Sequence, residues 1–254
     1  MNATETRRSK IIRKVKALGF VSVSALSEEL KVTSATIRSD LNALEQEHIV
    51  IRSHGGAIPA SSPVTNLRED EKAKRNMDLK LRIAAEATKL VKSDDSITIA
   101  CGSTMLAFAN ALNPQGTLNV LTPSIRIALS LVENPNVNVF QLGGMIDSFT
   151  YSSHGQYAEK GIEMFHSNKL FFGVEGFDTK VGLSCATIAE ADITKKMIQA
   201  ATQIVVLADS TKFRRRGFCN ICSMKDIDIL ITDDGLDEKA REEIQSLGIK
   251  LIIA

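Results

Sequence analysis

No run of roughly eighteen apolar residues occurs anywhere in this 254-residue sequence, so a membrane-spanning helix is not expected. The opening Met1-Asn2-Ala3-Thr4-Glu5-Thr6-Arg7-Arg8 lacks the apolar core of a secretory signal, and a cytoplasmic location is the expectation. Cysteine is scarce. In a reducing compartment Cys101, Cys185, Cys219 and Cys222 are expected as free, partly buried thiols. Cys219-Asn220-Ile221-Cys222 is a lone C-x-x-C, and a structural zinc needs two further ligands at suitable spacing, so neither a metal nor a cofactor is expected. Net charge is close to nil at +1 and by itself points to no partner. Repeats and low-complexity tracts are missing as well.

What is present is ordinary globular composition, 44% hydrophobic and 24% charged, in a length that suits a small domain joined to a medium one. Charge is unevenly divided. Residues 1–57 carry nine Lys/Arg against six Asp/Glu, and the remainder twenty-two against twenty-four. A weakly basic head on a weakly acidic body fits a DNA-contacting module attached to something else.

Within the head, Ile37, Leu41 and Leu44 are spaced four and then three apart, one face of a helix, with Thr33 placed to cap its first turn. The other face carries Ser34, Ala35, Arg38, Ser39 and Asn42, small or donor-rich side chains suited to a DNA major groove. Upstream, Ile11, Val15 and Leu18 form a helical stripe ended by Gly19. Ser22 or Ser24 then starts a short helix with Ala25, Leu26 and Leu30 inward, and Lys31-Val32-Thr33 makes the tight turn. Downstream, Ile49, Val50 and Ile51 lead into Arg52-Ser53-His54-Gly55-Gly56-Ala57, read as a hairpin wing whose glycines let backbone N–H groups approach phosphates. Three helices and a wing predict a winged helix-turn-helix module over residues 1–58.

Thr36-Ile37-Arg38, Asp40-Leu41, Leu44-Glu45, Ile49, Arg52 and His54-Gly55-Gly56-Ala57 together resemble the signature of the DeoR family of bacterial transcriptional regulators. The resemblance implies DNA contacts from Thr33, Ser34, Ala35, Thr36, Arg38, Ser39, Asn42, Arg52, His54, Gly55 and Gly56. It departs at Ser39, where the family usually has a second basic residue, which predicts a smaller non-specific affinity and salt slope.

Ile58-Pro59-Ala60-Ser61-Ser62-Pro63 breaks the composition, and residues 59–77, including a densely charged run from Leu67 to Met77, read as a linker with a solvated helix face. Leu79 to Val91 has helical spacing. From there to the end, residues 78–254, strand-like and helical stretches alternate: Ser96–Cys101, Asn119–Thr122, Val137–Leu142, Lys169–Val174, Ile204–Ala208, Ile227–Thr232 and Ile249–Ile253 as strands, with helices between. That pattern predicts an α/β domain with a largely parallel sheet.

Ligands of such sheets sit beyond the strand carboxyl ends, at helix amino termini. Gly102-Ser103-Thr104 falls there and offers close backbone approach, two hydroxyls and a helix end, the makings of an anion site. Thr122-Pro123-Ser124, Glu175-Gly176-Phe177-Asp178, Glu190 and Asp209-Ser210-Thr211-Lys212 follow other strands and supply hydroxyls, carboxylates for sugar hydroxyls and a cation for phosphate. A Ser/Thr helix cap and a β-turn are the structural alternatives for the first and third of these loops.

Gly102-Ser103-Thr104, Gly143-Gly144, Gly155, Gly173, Gly176, Gly182, Glu190-Ala191, Met197 and Asp209-x-x-Lys212 extend the resemblance to the sugar-phosphate effector domain of the same family, similar in fold to ribose-phosphate isomerases and coenzyme A transferases. The resemblance implies effector contacts from Gly102, Ser103, Thr104, Ser124, Glu175, Asp178, Glu190 and Lys212. The family has Asp where Ala100 stands and Asn where Pro123 stands, both at the presumed pocket.

The expected function is a DNA-binding transcriptional regulator, a repressor of a carbohydrate uptake or catabolism operon. Its expected partners are double-stranded operator DNA, a small phosphorylated sugar-like effector and further copies of itself, as a dimer or tetramer, with no membrane. It is expected not to be an enzyme. Two alternatives stay open: a sugar-phosphate isomerase-like enzyme using Glu175, Asp178 and Glu190, and a constitutive DNA-binding protein with a decayed pocket.

Overall fold

The computed structural model describes residues 3–18, 21–47, 49–53, 55–59 and 68–254, which fall into two compact units, Met1–Pro63 and Val64–Ala254.

In the first unit, α1 (Ala3–Leu18) buries Ile11 and Val15 completely. A two-residue strand, β1 (Val21–Ser22), leads into α2 (Val23–Leu30), whose first turn is capped by the Ser22 hydroxyl accepting from Ala25 N at 3.1 Å. Lys31 then takes a left-handed conformation, φ 51°, and turns the chain into α3 (Ser34–Gln46). Thr33 caps α3 through Thr36 N at 3.2 Å, and Ile37, Leu41 and Leu44 form its buried rear. The wing pairs β2 (Val50–Ser53) with β3 (Gly56–Pro59), antiparallel, and β1 adds to the outer side of β3. β1 was not expected from sequence, because two residues are too few to show alternation. Gly19 and His54 lie outside the described residues.

The second unit begins with α4 (Glu69–Ala73) and α5 (Met77–Thr88). This differs from the expected boundaries: the division falls at Pro63, and α4, expected as linker, belongs to the body and buries Glu69. Strands and helices then follow as β4 (Ser96–Ile99), α6 (Ser103–Ala111), β5 (Leu118–Thr122), α7 (Ile125–Leu131), β6 (Val137–Gln141), β7 (Met145–Asp147), β8 (Ser152–His154), α8 (Gln156–Ile162) and β9 (Ser167–Phe172). After them come β10 (Gly176–Asp178), β11 (Gly182–Cys185), α9 (Ile188–Gln199), β12 (Ala201–Leu207), a 3₁₀ turn (Ser210–Lys212), β13 (Cys219–Cys222), a second 3₁₀ turn (Met224–Asp226), β14 (Ile229–Thr232), α10 (Glu238–Gln245) and β15 (Lys250–Ile253).

Seven strands form one parallel sheet in the order β15-β14-β12-β9-β4-β5-β6. Its central strands are apolar on both sides, as a sheet covered by helices requires. In β9, Leu170 and Phe172 point into one core while Phe171 points into the other, and in β12 Ile204 and Val206 oppose Val205 and Leu207 in the same way. Helices α5, α6 and α7 fill one core; α8, α9 and α10 fill the other. Two small antiparallel additions went unpredicted: the β7–β8 hairpin and the three-stranded sheet β10-β11-β13. The C-x-x-C motif lies along β13, where Cys219 pairs with Cys185 and Cys222 with Leu183 of β11, and both cysteines are free thiols packed against the core.

Candidate functional site

Chain order reverses between β4 and β9: β5 and β6 continue to one side of the pair, β12, β14 and β15 to the other. This switch point opens a crevice at the strand carboxyl ends. The loops leaving β4, β9 and β12 line a cavity there, with an empty volume of about 970 Å³ that includes its open mouth.

Its floor is the amino end of α6. Gly102 precedes that helix with φ 124°, a conformation that L side chains rarely adopt, and no side chain caps the first turn. The free N–H groups and the helix dipole therefore face the cavity, with Ser103 and Thr104 beside them. On the β9 side, Glu175 is buried and gripped by two cations. Lys212 Nζ lies 2.9 Å from Oε2, and Lys72 of α4 bonds Oε1. Burial opposes ionisation, but the two ammonium groups prevail and hold the carboxyl at about 2. Glu190, on α9, is driven up by burial, and its carboxylate receives only a long backbone bond, from Ala186 N at 3.3 Å.

The roof comes from the stretch before β4. Lys80 is only 5% exposed and donates to the carbonyls of Lys72 and, at 2.7 Å, Arg75; burial lowers its pKa. Asn76, φ 50°, reaches Asp209 Oδ1 at 3.4 Å. Arg75 and Arg215 complete the cationic lining. A space with a helix amino end at its base, cations around it and carboxylates on one wall suits a small anion that also bears hydroxyl groups.

In the head unit, Ala35, Arg38, Ser39 and Asn42 are exposed on one side of α3, opposite its buried rear. Arg52 of the wing bonds Asn42 Oδ1 with its guanidinium, and its backbone N–H donates to Glu45 Oε1 at 2.8 Å, so wing and helix are tied into one surface. Asp40, 2% exposed, accepts from Arg7 and Arg8 of α1 and fixes the helix from behind.

The DeoR-like helix-turn-helix domain matches residues 7–62, and the DeoR C terminal sensor domain matches residues 75–234. The chain belongs to the DeoR family of transcriptional regulators. An uncharacterised HTH-type transcriptional regulator of Bacillus subtilis, YulB, is 36% identical over 96% of this chain and 95% of its own length. The glycerol-3-phosphate regulon repressor of Escherichia coli K12 is 29% identical over 89% and 90%. Among solved structures, ribose 5-phosphate isomerase A of Methanocaldococcus jannaschii overlaps 54% of this chain and 55% of its own, at 21% identity and a TM-score of 0.40.

Of the residues that the DeoR resemblance assigned to the effector, Gly102, Ser103, Thr104, Glu175, Glu190 and Lys212 line one cavity. Ser124 and Asp178 do not. Ser124 is fully buried and spends its hydroxyl capping α7, accepting from Ile127 N at 3.4 Å. Asp178 closes its own turn through Lys180 N at 2.9 Å and Val181 N at 3.2 Å. The two departures from the DeoR pattern also fall outside the lining. Ala100 is packed in a core, and the Pro123 carbonyl accepts from Ser153 N at 2.8 Å and from the Gln141 amide at 3.0 Å. Sequence reasoning missed Glu69, Lys72, Arg75 and Asn76, which lie in the stretch it read as a solvated face, and Lys80, on the helix it expected to pack on the body; Glu69 and Lys80 are buried at the cavity. Cys101, also at the cavity, has its thiol pushed up to about 12 by burial.

Proposed function

We propose that this DeoR-family regulator represses a carbohydrate-use operon and is released from, or fixed on, its operator by a phosphorylated sugar or polyol bound at the switch-point cavity. The observation that carries the reading is the pairing of the α6 amino end, at Gly102 to Thr104, with the Lys72–Glu175–Lys212 cluster in one crevice. The helix end and cations suit the phosphate, and Glu190 suits hydroxyl groups. A relative that carries glycerol 3-phosphate in its name supports the same ligand class.

Operator binding rests on the exposed front of α3 and the wing, with Arg38, Ser39 and Asn42 reading base edges and Thr33, Ser34 and Gly55 placed for phosphates. Two heads on two half-sites need at least a dimer. Exposed Leu129 on α7 and Val132 at its end, beside Phe140 on the sheet's edge strand β6, offer apolar surface for it. The cavity binds without turning its ligand over: Glu175, held at about 2 between two lysines, is a poor general base at neutral pH.

Electrophoretic mobility shift of the chain's own promoter region, with and without a panel of phosphorylated sugars, tests the reading. A specific complex whose midpoint moves with one class of sugar phosphate is expected; no specific complex at moderate salt overturns it. Interconversion of ribose 5-phosphate or hexose phosphates by the purified chain would favour the isomerase alternative instead.

A further inference from the structure

The phosphate seat is not vacant of negative charge. Glu69, the first residue of α4, is 3% exposed and lines the same cavity as Gly102, Ser103 and Thr104. The Gly102 N–H faces its carboxylate, while Oε2 is buried with no hydrogen-bond partner among the described residues. Its remaining titratable surroundings are Arg126 of α7 at 3.7 Å, Asp70 and Lys72 of α4, and the uncharged Cys101 thiol. Arg126 is shared: it sits 2.6 Å from Asp70 and stacks over the Tyr151 ring at 3.7 Å. A half-satisfied carboxylate at the amino end of a helix occupies the place of an anionic ligand, and burial makes that arrangement costly for it.

We propose that Glu69 is an internal competitor for the anion seat of α6, tethered there so that the sensor rejects inorganic phosphate and admits only a phosphorylated ligand with further groups to bind. This rests on the phosphorylated-ligand reading above. A tethered group competes at an effective concentration on the order of millimolar or more. Free phosphate gains the helix end alone and must displace the carboxylate to do so. A sugar phosphate gains the same seat together with hydrogen bonds to the Glu190 wall, and those offset the displacement. Specificity of this kind is built by a repulsive element as much as by an attractive one.

The experiment compares the full-length wild type with Glu69→Gln, which keeps shape and removes charge. The two are titrated with inorganic phosphate and with the sugar-phosphate panel, read by calorimetry and thermal shift. Wild type is expected to ignore inorganic phosphate, and Glu69→Gln to bind it at least roughly tenfold more tightly while losing discrimination against it. A Glu69→Gln protein with native circular dichroism that binds phosphate no better than wild type overturns the inference and leaves the sugar-phosphate reading intact if the panel still binds. Silence of both proteins toward every phosphorylated compound overturns both. Glu69→Asp, equally charged on a stem one methylene shorter, draws the carboxylate back from Gly102 and is expected to fall between the two; phosphate affinity equal to wild type there also counts against the inference.

Discussion

The carboxylate of Asp40 takes two hydrogen bonds from the Arg7 guanidinium, at 2.5 and 3.2 Å, across the back of the recognition helix. Arg8 adds a third at 3.1 Å. Removing the acid, Asp40→Ala, leaves two arginines without their shared partner and should cost the head on the order of 1–3 kcal/mol. Hydrogen exchange should accelerate in α1 and α3 and not in the parallel sheet, and operator affinity should fall although Asp40 is buried. Unchanged protection in α1 would show that the clamp is not what holds the helix.

Arg38 stands on the opposite side of the same helix, exposed. Arg38→Ala should weaken operator binding by about 1–3 kcal/mol if the side chain reads a base, with loss of discrimination between operator and scrambled duplex. If it contacts phosphate, affinity should drop equally on both duplexes and the salt slope should shrink by about one. Anisotropy titrations at two salt concentrations separate these outcomes. Occupancy unaffected by the substitution would remove Arg38 from the interface.

Glu175 makes acid lability predictable. Its folded-state pKa, about 2, lies below the ordinary 4.5, so its ion pairs stabilise the body fully above pH 4.5 and are lost as pH falls toward 2. Glu175→Gln should cost roughly 3 kcal/mol at neutral pH. The gap from wild type should close in that acid window. Thermal unfolding between pH 3 and pH 7 checks it, and a gap that stays constant with pH would mean the lysines are not responsible.

Glu69 has the opposite sign. Burial, ahead of the opposing Arg126 charge, raises it from 4.5 to about 7. The folded protein binds that proton more tightly than the unfolded chain, so stability declines as pH rises from 4.5 to about 7 and is level beyond. Glu69→Gln should therefore be near neutral at the acid end of this window and stabilising by a few kcal/mol, on the order of 2–3, above it. Equal melting curves for the two proteins at pH 8 would contradict the buried charge.

Gly176 tests how the Glu175 turn is packed. A Cβ there would sit 2.1 Å from the Arg215 carbonyl oxygen, a backbone atom with no easy retreat. Gly176→Ala should cost on the order of 1–3 kcal/mol and displace the loop that brings Arg215 to the cavity. The response to phosphorylated ligands should weaken with it in thermal-shift titrations.

Periodicity was enough to locate every strand of the parallel sheet, because strands buried on both faces read as short apolar runs such as Leu170-Phe171-Phe172. The three-residue strands β7, β8 and β10 had no such run to show. Among site residues, Gly102 and Lys212 were legible because each follows a strand end. Ser124 misled, since a hydroxyl that caps a helix and one that meets a ligand look the same in sequence. Glu69 and Lys72 were invisible for another reason: an isolated charged stretch reads as solvated, and only the fold shows that it closes over the sheet's crevice.

That closure has one more result. Glu69 opens the first described helix after residues 60–67, which lead from the DNA-reading unit. The residue at the anion seat is thus also the one that fastens the start of the body's first helix, through Glu69 N to Phe149 O at 2.9 Å. Whatever dislodges that carboxylate therefore works directly on the first helix of the body, α4.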